Sequence, residues 1–223
     1  MPSVEETVQG LLQKVISQDN KEKREFKQSV EIYLNFRELD LKKAENKFAS
    51  IVELSSFPPE KENKIAVITG GSFVPAARNL GVDVITREQM ESVSGNKKAA
   101  RKMIEPYGFL ISEAPLMSLV GRVFGPFLGP KDRMPIAVPP NADLTPVVSR
   151  LKKSVLIRLK TQKSISAPIG TEDMSPEQLK ENAMKIIAVV EQKVPSGLRA
   201  VDSITIKTTM GHPVSSRLWA KEK

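Results

Sequence analysis

Val4, Val8, Leu11, Leu12, Val15 and Ile16 recur at helical spacing, which predicts an amphipathic first helix. Ser3 and Glu6 stand where a capping box would start it. After the charged stretch KEKREFKQ, apolar Val30, Ile32, Leu34 and Phe36 alternate with Glu31, Tyr33 and Asn35, the period of a half-buried strand. LKKAENKF reads as a polar connection, IVEL (51–54) as a second strand, and SSFPPE (55–60) as a Pro/Ser break and candidate hinge.

Beyond that break the pattern changes. KIAVIT (64–69) is almost continuously apolar, as expected of a parallel strand buried on both faces. A glycine turn and short helix follow (GGSFVPAARNLG), then a strand (VDVI) and a helical stretch through Met90 to Ile104. FLIS (109–112) reads as a third strand and PLMSLVGRVFG as a helix. Strands alternating with helices predict a small doubly wound α/β unit. Residues 125–142 hold five prolines and no apolar period, so they are expected to be mostly irregular. LTPVVSRLKK (144–153) returns to a helical pattern.

From residue 154 the first style resumes. Val155, Ile157 and Leu159, then Ile165, Ala167 and Ile169, alternate and read as a hairpin around 160–164. Ser175-Pro176-Glu177-Gln178 is a strong helix start. Val201 to Thr209 alternates again and is expected to be the last strand. Because the two ends look alike, the expected architecture is α/β and α+β in two domains. Residues 1–58 plus 156–223 form a discontinuous domain, and 59–155 form the doubly wound α/β domain inserted into it.

Charge adds a partner class. The 223 residues carry 34 Lys and Arg against 26 Asp and Glu, a net charge of +8. Residues 1–62 hold −2, residues 63–154 hold +6 and residues 155–223 hold +4. A basic excess suggests a polyanionic partner, since each phosphate contact releases counterions. The absence of cysteine excludes disulfides, thiolate nucleophiles and Cys-held zinc, and fits a cytoplasmic protein. His212 is the only histidine, which excludes a three-His metal site, and there is no nucleophile elbow. No catalytic residue, metal or cofactor is expected, nor any membrane span or secretory signal.

Two glycine segments keep an alternative open, a small α/β enzyme acting on a phosphorylated ligand. Thr69-Gly70-Gly71-Ser72 follows a buried strand, where phosphate sites sit, but lacks the dinucleotide glycine spacing. Gly125 to Lys131 differs from a P-loop in glycine spacing and in Pro130, which removes an N–H donor. A protein-interaction module whose basic charge is incidental is a third reading.

Three polar segments point instead to RNA. In Arg24-Glu25-Phe26-Lys27-Gln28-Ser29, the aromatic ring either lies exposed for a ribose or base or staples the first helix. Thr208-Thr209-Met210-Gly211 brings hydroxyls, a glycine allowing close backbone approach, and an unbranched Met suited to a flat ribose. The Gly/Pro loop carries Arg122, Lys131 and Arg133.

Together GRVFGPFLGPKDRMP (121–135), SAPIG (166–170) and TTMG (208–211) resemble the ribosomal protein L-one family of the large-subunit lateral stalk, in order and spacing over essentially the whole chain. VPPNAD (138–143) and the short N-terminus look like the archaeal branch. Asp132 departs from the family, which often has glycine there. The resemblance implies a split α+β domain built from residues 1–58 and 156–223, with an inserted Rossmann-like α/β domain (59–155), and the split domain binds large-subunit rRNA through Phe26, Ser29, Glu31, Ser203, Thr205, Thr209, Met210 and Gly211. Lys27 and Lys163 would add charge, and Arg122, Lys131 and Arg133 would make a secondary basic loop. It further implies a chain that is a monomer when free and part of the large ribosomal subunit when assembled. Other implied partners are exit-site tRNA, whose release it would assist, and its own mRNA, whose translation it would repress.

Overall fold

The computed structural model describes residues 3–17, 25–37 and 39–218. Arg24, which opens the first polar segment, lies outside them. The chain divides into two compact units, residues 1–61 with 154–223, and residues 62–153. No helix among the described residues is long and apolar enough to cross a membrane.

The first unit opens with helix α1 (Val4–Ile16). Its capping box is formed: Glu6 N–H donates to the Ser3 hydroxyl, and Ser3 N–H donates to the Glu6 carboxylate. Four strands make one antiparallel sheet: β1 (Ser29–Phe36), β8 (Ser164–Thr171), β9 (Val201–Thr208) and β10 (Val214–Arg217), in the order β10-β9-β1-β8. Val30, Ile32 and Leu34 of β1, with Ile204 and Ile206 of β9, face inward against α1 and helix α8 (Pro176–Lys193). Each such fully buried side chain contributes about 1.5–3 kcal/mol. Strands β2 (Phe48–Glu53) and β7 (Ser154–Leu159) pair antiparallel in a second, two-stranded sheet.

Asn182 of α8 is fully buried and joins three segments of this unit. Its side-chain oxygen accepts from the N–H groups of Ser55 and Ser56, and its amide donates to the carbonyls of Ser56 and Ile169. The first half of the Pro/Ser break is thereby anchored to the helix.

The second unit is a parallel sheet. β3 (Ile65–Thr69), β4 (Asp83–Thr86), β5 (Phe109–Glu113) and β6 (Ile136–Val138) lie in the order β4-β3-β5-β6. Around them run helices α2 (Val74–Asn79), α3 (Arg87–Val93), α4 (Lys97–Ile104), α5 (Met117–Val123), α6 (Gly125–Leu128) and α7 (Leu144–Lys152). Every residue of β3 and β5 is buried, the polar Thr69, Ser112 and Glu113 at their ends included, as expected of central parallel strands. Together the units have the mixed α/β and α+β, two-domain character expected.

Four local expectations are corrected. Met90 to Ile104 is not one helix: Gly95, at φ 94°, breaks it into α3 and α4, and Asn96 caps the second. Residues 125–142 are not mostly irregular. Pro126 and Pro130 stand in the first turns of α6 and of a 3-10 turn (Gly129–Lys131), where a missing N–H costs nothing. Ile136–Val138 then adds to the sheet edge as β6. The runs flanking 160–164 are not a hairpin: β7 pairs with β2 and β8 with β1, and Phe36 N–H holds the Lys163 carbonyl at 2.8 Å. Finally, β9 is not the last strand; β10 pairs along its other edge.

Candidate nucleic-acid interface

The four-stranded sheet buries one face and leaves the other polar. Along β1 the residues between the core positions are Ser29, Glu31, Tyr33 and Asn35. Register places Thr205 opposite Tyr33, Ser203 opposite Asn35 and Lys207 opposite Glu31. On the flanking strands Ser166 and Pro168 of β8 and Ser215 and Arg217 of β10 complete the rows. Tyr33, Asn35, Lys207, Ser166, Ser215 and Arg217 were not singled out from sequence. Alternation marked the odd positions of β1 and β9 as outward-facing, but no local signal revealed which strands are neighbours.

The face is internally organised. The Tyr33 hydroxyl donates to Glu31 at 2.6 Å, and Asn35 donates to the Ser203 hydroxyl at 3.1 Å. The bond to Glu31, then burial, then the carboxylate charge push the Tyr33 phenol up to about 12, so it stays a donor at neutral pH.

At the start of β1 the TTMG turn is clasped. Thr209 N–H donates to the Ser29 carbonyl, Met210 N–H to the side chain of buried Gln28, and Gly211 N–H to the Thr208 hydroxyl. The Thr209 hydroxyl also accepts from Ser29 N–H at 3.1 Å and donates to the Ser29 carbonyl at 3.3 Å. It is therefore engaged within the chain, not held open for a ligand. Phe26 and Met210 remain 51% and 54% exposed on the two segments so joined. Of the two placements open for Phe26, the exposed one holds.

Two lysines have different surroundings. Lys27 forms ion pairs with Glu60 at 3.0 Å and Asp173 at 3.3 Å, and these hydrogen bonds and charges raise its pKa. Lys163 lies at the opposite end of β1 from Phe26, roughly 25 Å away along an eight-residue strand. There it borders a wide cleft with Lys42, Lys47 and Lys160. The structure thus gathers Phe26, Ser29, Thr209, Met210 and Gly211 at one end of β1, lines Glu31, Thr205 and Ser203 along its open face, and places Lys163 at the far end, the same end as Ser203.

SAPIG has a packing reason for its glycine. Gly170 takes φ 156° beside a β1 irregularity, and an added Cβ would collide with the side chains of Met174 and Leu179. In the second unit Lys131 and Arg133 border one concavity, and Arg122 on α5 is not among its lining. Asp132 between them is left-handed, φ 55° and ψ 31°, the only non-glycine with positive φ among the described residues. A glycine would be at ease in that conformation, and Asp is among the few other residues that adopt it readily.

The phosphate reading of Gly70-Gly71 meets an occupied position. In this doubly wound sheet β3 and β5 flank the switch point, where ligands usually bind. The Glu113 carboxylate, buried at the end of β5, fills it. Glu113 accepts from the hydroxyls of Thr69 and Ser72 and from Gly70 N–H. Burial pushes its pKa upward, but those hydroxyls and the N–H groups of Gly70 and Phe73 outweigh it and hold the carboxyl below its ordinary range.

Comparison with known proteins decides the family. The model of the Ribosomal protein L1p/L10e family matches residues 16–212. The chain belongs to that family. It is 45% identical over 192 residues to the large ribosomal subunit protein uL1 of Thermococcus kodakarensis, covering 86% of this chain and 88% of that one. The uL1 protein of Pyrobaculum islandicum is 43% identical over 200 residues, covering 89% and 88%. These relatives are archaeal-type, and the L1p/L10e family is structural rather than enzymatic. The phospho-ligand enzyme reading is withdrawn on that ground.

Proposed function

We propose that this L1p/L10e member is a cytoplasmic constituent of the large ribosomal subunit that binds structured rRNA of the mobile stalk through the open face of its split sheet. One observation carries the reading. A hydroxyl-rich face runs into a clasped turn where Phe26 and Met210, two large apolar side chains, stay half exposed. Structured RNA offers matching chemistry: 2′-hydroxyls for Ser203, Thr205 and Glu31, and ribose and base surfaces for Phe26 and Met210. The likeness to large ribosomal subunit proteins supports the assembly. The same surface would bind an rRNA-like structure in the chain's own mRNA and repress its translation. The basic second unit would contact exit-site tRNA and assist release of the deacylated form.

The test is binding to a structured stalk fragment of large-subunit RNA against excess unrelated RNA over a salt series. Tight selective binding, lost in Met210→Asp, supports the reading. Unselective binding that disappears with salt leaves only the net charge and sinks it.

A further inference from the structure

We infer that the segment 126–133 of the second unit builds, with α4, a pocket for one unstacked nucleotide of RNA. This rests on the reading that the partner is RNA, and goes beyond it in naming a second, base-accepting site. The concavity holds about 250 Å³ and is lined by Pro126, Phe127, Leu128, Pro130, Lys131 and Arg133 of the segment and by Arg101, Ile104 and Glu105 of α4. That volume falls just below the ~300–1,000 Å³ of sites for whole small ligands. It suits a single base with its sugar and phosphate at the rim.

The lining has two chemical parts. Phe127, Pro126, Pro130 and Ile104 supply rigid apolar surface, and bases stack on aromatic rings whatever their sequence. Arg101, Lys131 and Arg133 set three cations against one carboxylate, Glu105, which lies 3.6 Å from Arg101. Such a rim favours an anion beside the apolar floor. An apolar ligand would not need the cations, and a bare phosphate would not need the floor.

Local backbone geometry keeps the pocket formed. Asp132 N–H bonds the Gly129 carbonyl and Arg133 N–H bonds the Leu128 carbonyl, each at 3.1 Å. The left-handed residue Asp132 reverses the chain between the two cations. Arg133 Nε–H donates to the Gly108 carbonyl at 3.3 Å, which holds the guanidinium in place.

The experiment titrates the intact protein with single-stranded hexauridylate, with an abasic ribose-phosphate hexamer of equal charge, and with a triglutamate peptide, reading backbone amide and Phe127 ring NMR shifts. The hexauridylate should shift residues 101–105 and 126–133 and bind about tenfold more tightly than the abasic hexamer. Phe127→Leu should remove that advantage, with thermal melting confirming the fold, and Lys131→Gln should weaken both hexamers. Equal binding of the abasic hexamer, or tighter binding of triglutamate at the same residues, overturns the inference. Shifts confined to residues 203–211 overturn it while leaving the sheet-face reading intact. Persistence of the pocket shifts in Met210→Asp, which should lose structured-RNA binding, supports the two sites separately.

Discussion

The hydroxyl of Thr209 accepts a hydrogen bond from the Ser29 backbone N–H at 3.1 Å, while Thr209 N–H donates to the Ser29 carbonyl at 3.0 Å. A side chain thus takes the place of a backbone carbonyl and extends the β9–β1 ladder by one rung. Thr209→Val should lower stability by about 0.5–1.5 kcal/mol and weaken RNA binding by loosening the turn. Thr209→Ser should preserve both. Urea midpoints and RNA affinities for the two variants check this; a Val variant as stable as the parent would remove the rung's importance.

Phe26 is half exposed, so shortening it leaves no cavity. Phe26→Ala should leave the melting temperature nearly unchanged and cost about 1–3 kcal/mol of affinity for structured stalk RNA. Unchanged affinity would place the ring outside the interface.

Lys163 and Met210 lie at opposite ends of the sheet. Lys163→Gln should change the slope of log K against log salt by at most about 0.9 and leave selectivity unaltered. Loss of selectivity in a competition assay would mean that Lys163 reads RNA structure rather than adding charge alone.

Asp132 is held at φ 55°. Asp132→Val should lower stability by about 1–2 kcal/mol, because a branched Cβ resists the left-handed region. Asp132→Gly should stay within about 1 kcal/mol of the parent, its strain relief opposed by a more flexible unfolded chain. Denaturant unfolding distinguishes the pair.

Glu113 titrates below its ordinary value of 4.5 when folded. Between the two values the unfolded chain binds the extra proton, so stability rises with pH there. The contribution is fully present above about 4.5 and lost as pH falls through the lower folded pKa. Glu113→Gln should cost about 1–3 kcal/mol at neutral pH, and its deficit should shrink in acid. A deficit independent of pH would assign the effect to packing rather than charge.

Much of this was legible locally. Apolar pattern placed α1, β1 and β3 and the start of α8 within a residue or so, because α1, β1 and α8 each bury a periodic face, β3 is apolar throughout, and both helices begin at capping boxes. The motifs GRVFGPFLGPKDRMP, SAPIG and TTMG carry the family resemblance in the sequence alone. Proline content misled at 125–142, since Pro126 and Pro130 begin turns as readily as they prevent helices.

Strand periodicity says which side chains share a face; it does not say which strand lies alongside. Pairing depends on burial shared by segments far apart, such as Ser29 against Thr171 on one side and Val30 against Thr208 on the other. That is why the odd-numbered positions of 29–35 and 203–209 could be read as outward and polar, yet their assembly into one surface came from the fold. The separation of Lys163 from Phe26, the ion pairs of Lys27 and the Glu113 carboxylate in the Gly70 turn followed the same logic. Composition and periodicity set the elements and the partner's charge. Long-range packing chose the neighbours of each side chain, because contact energies between distant segments leave no trace in the local pattern.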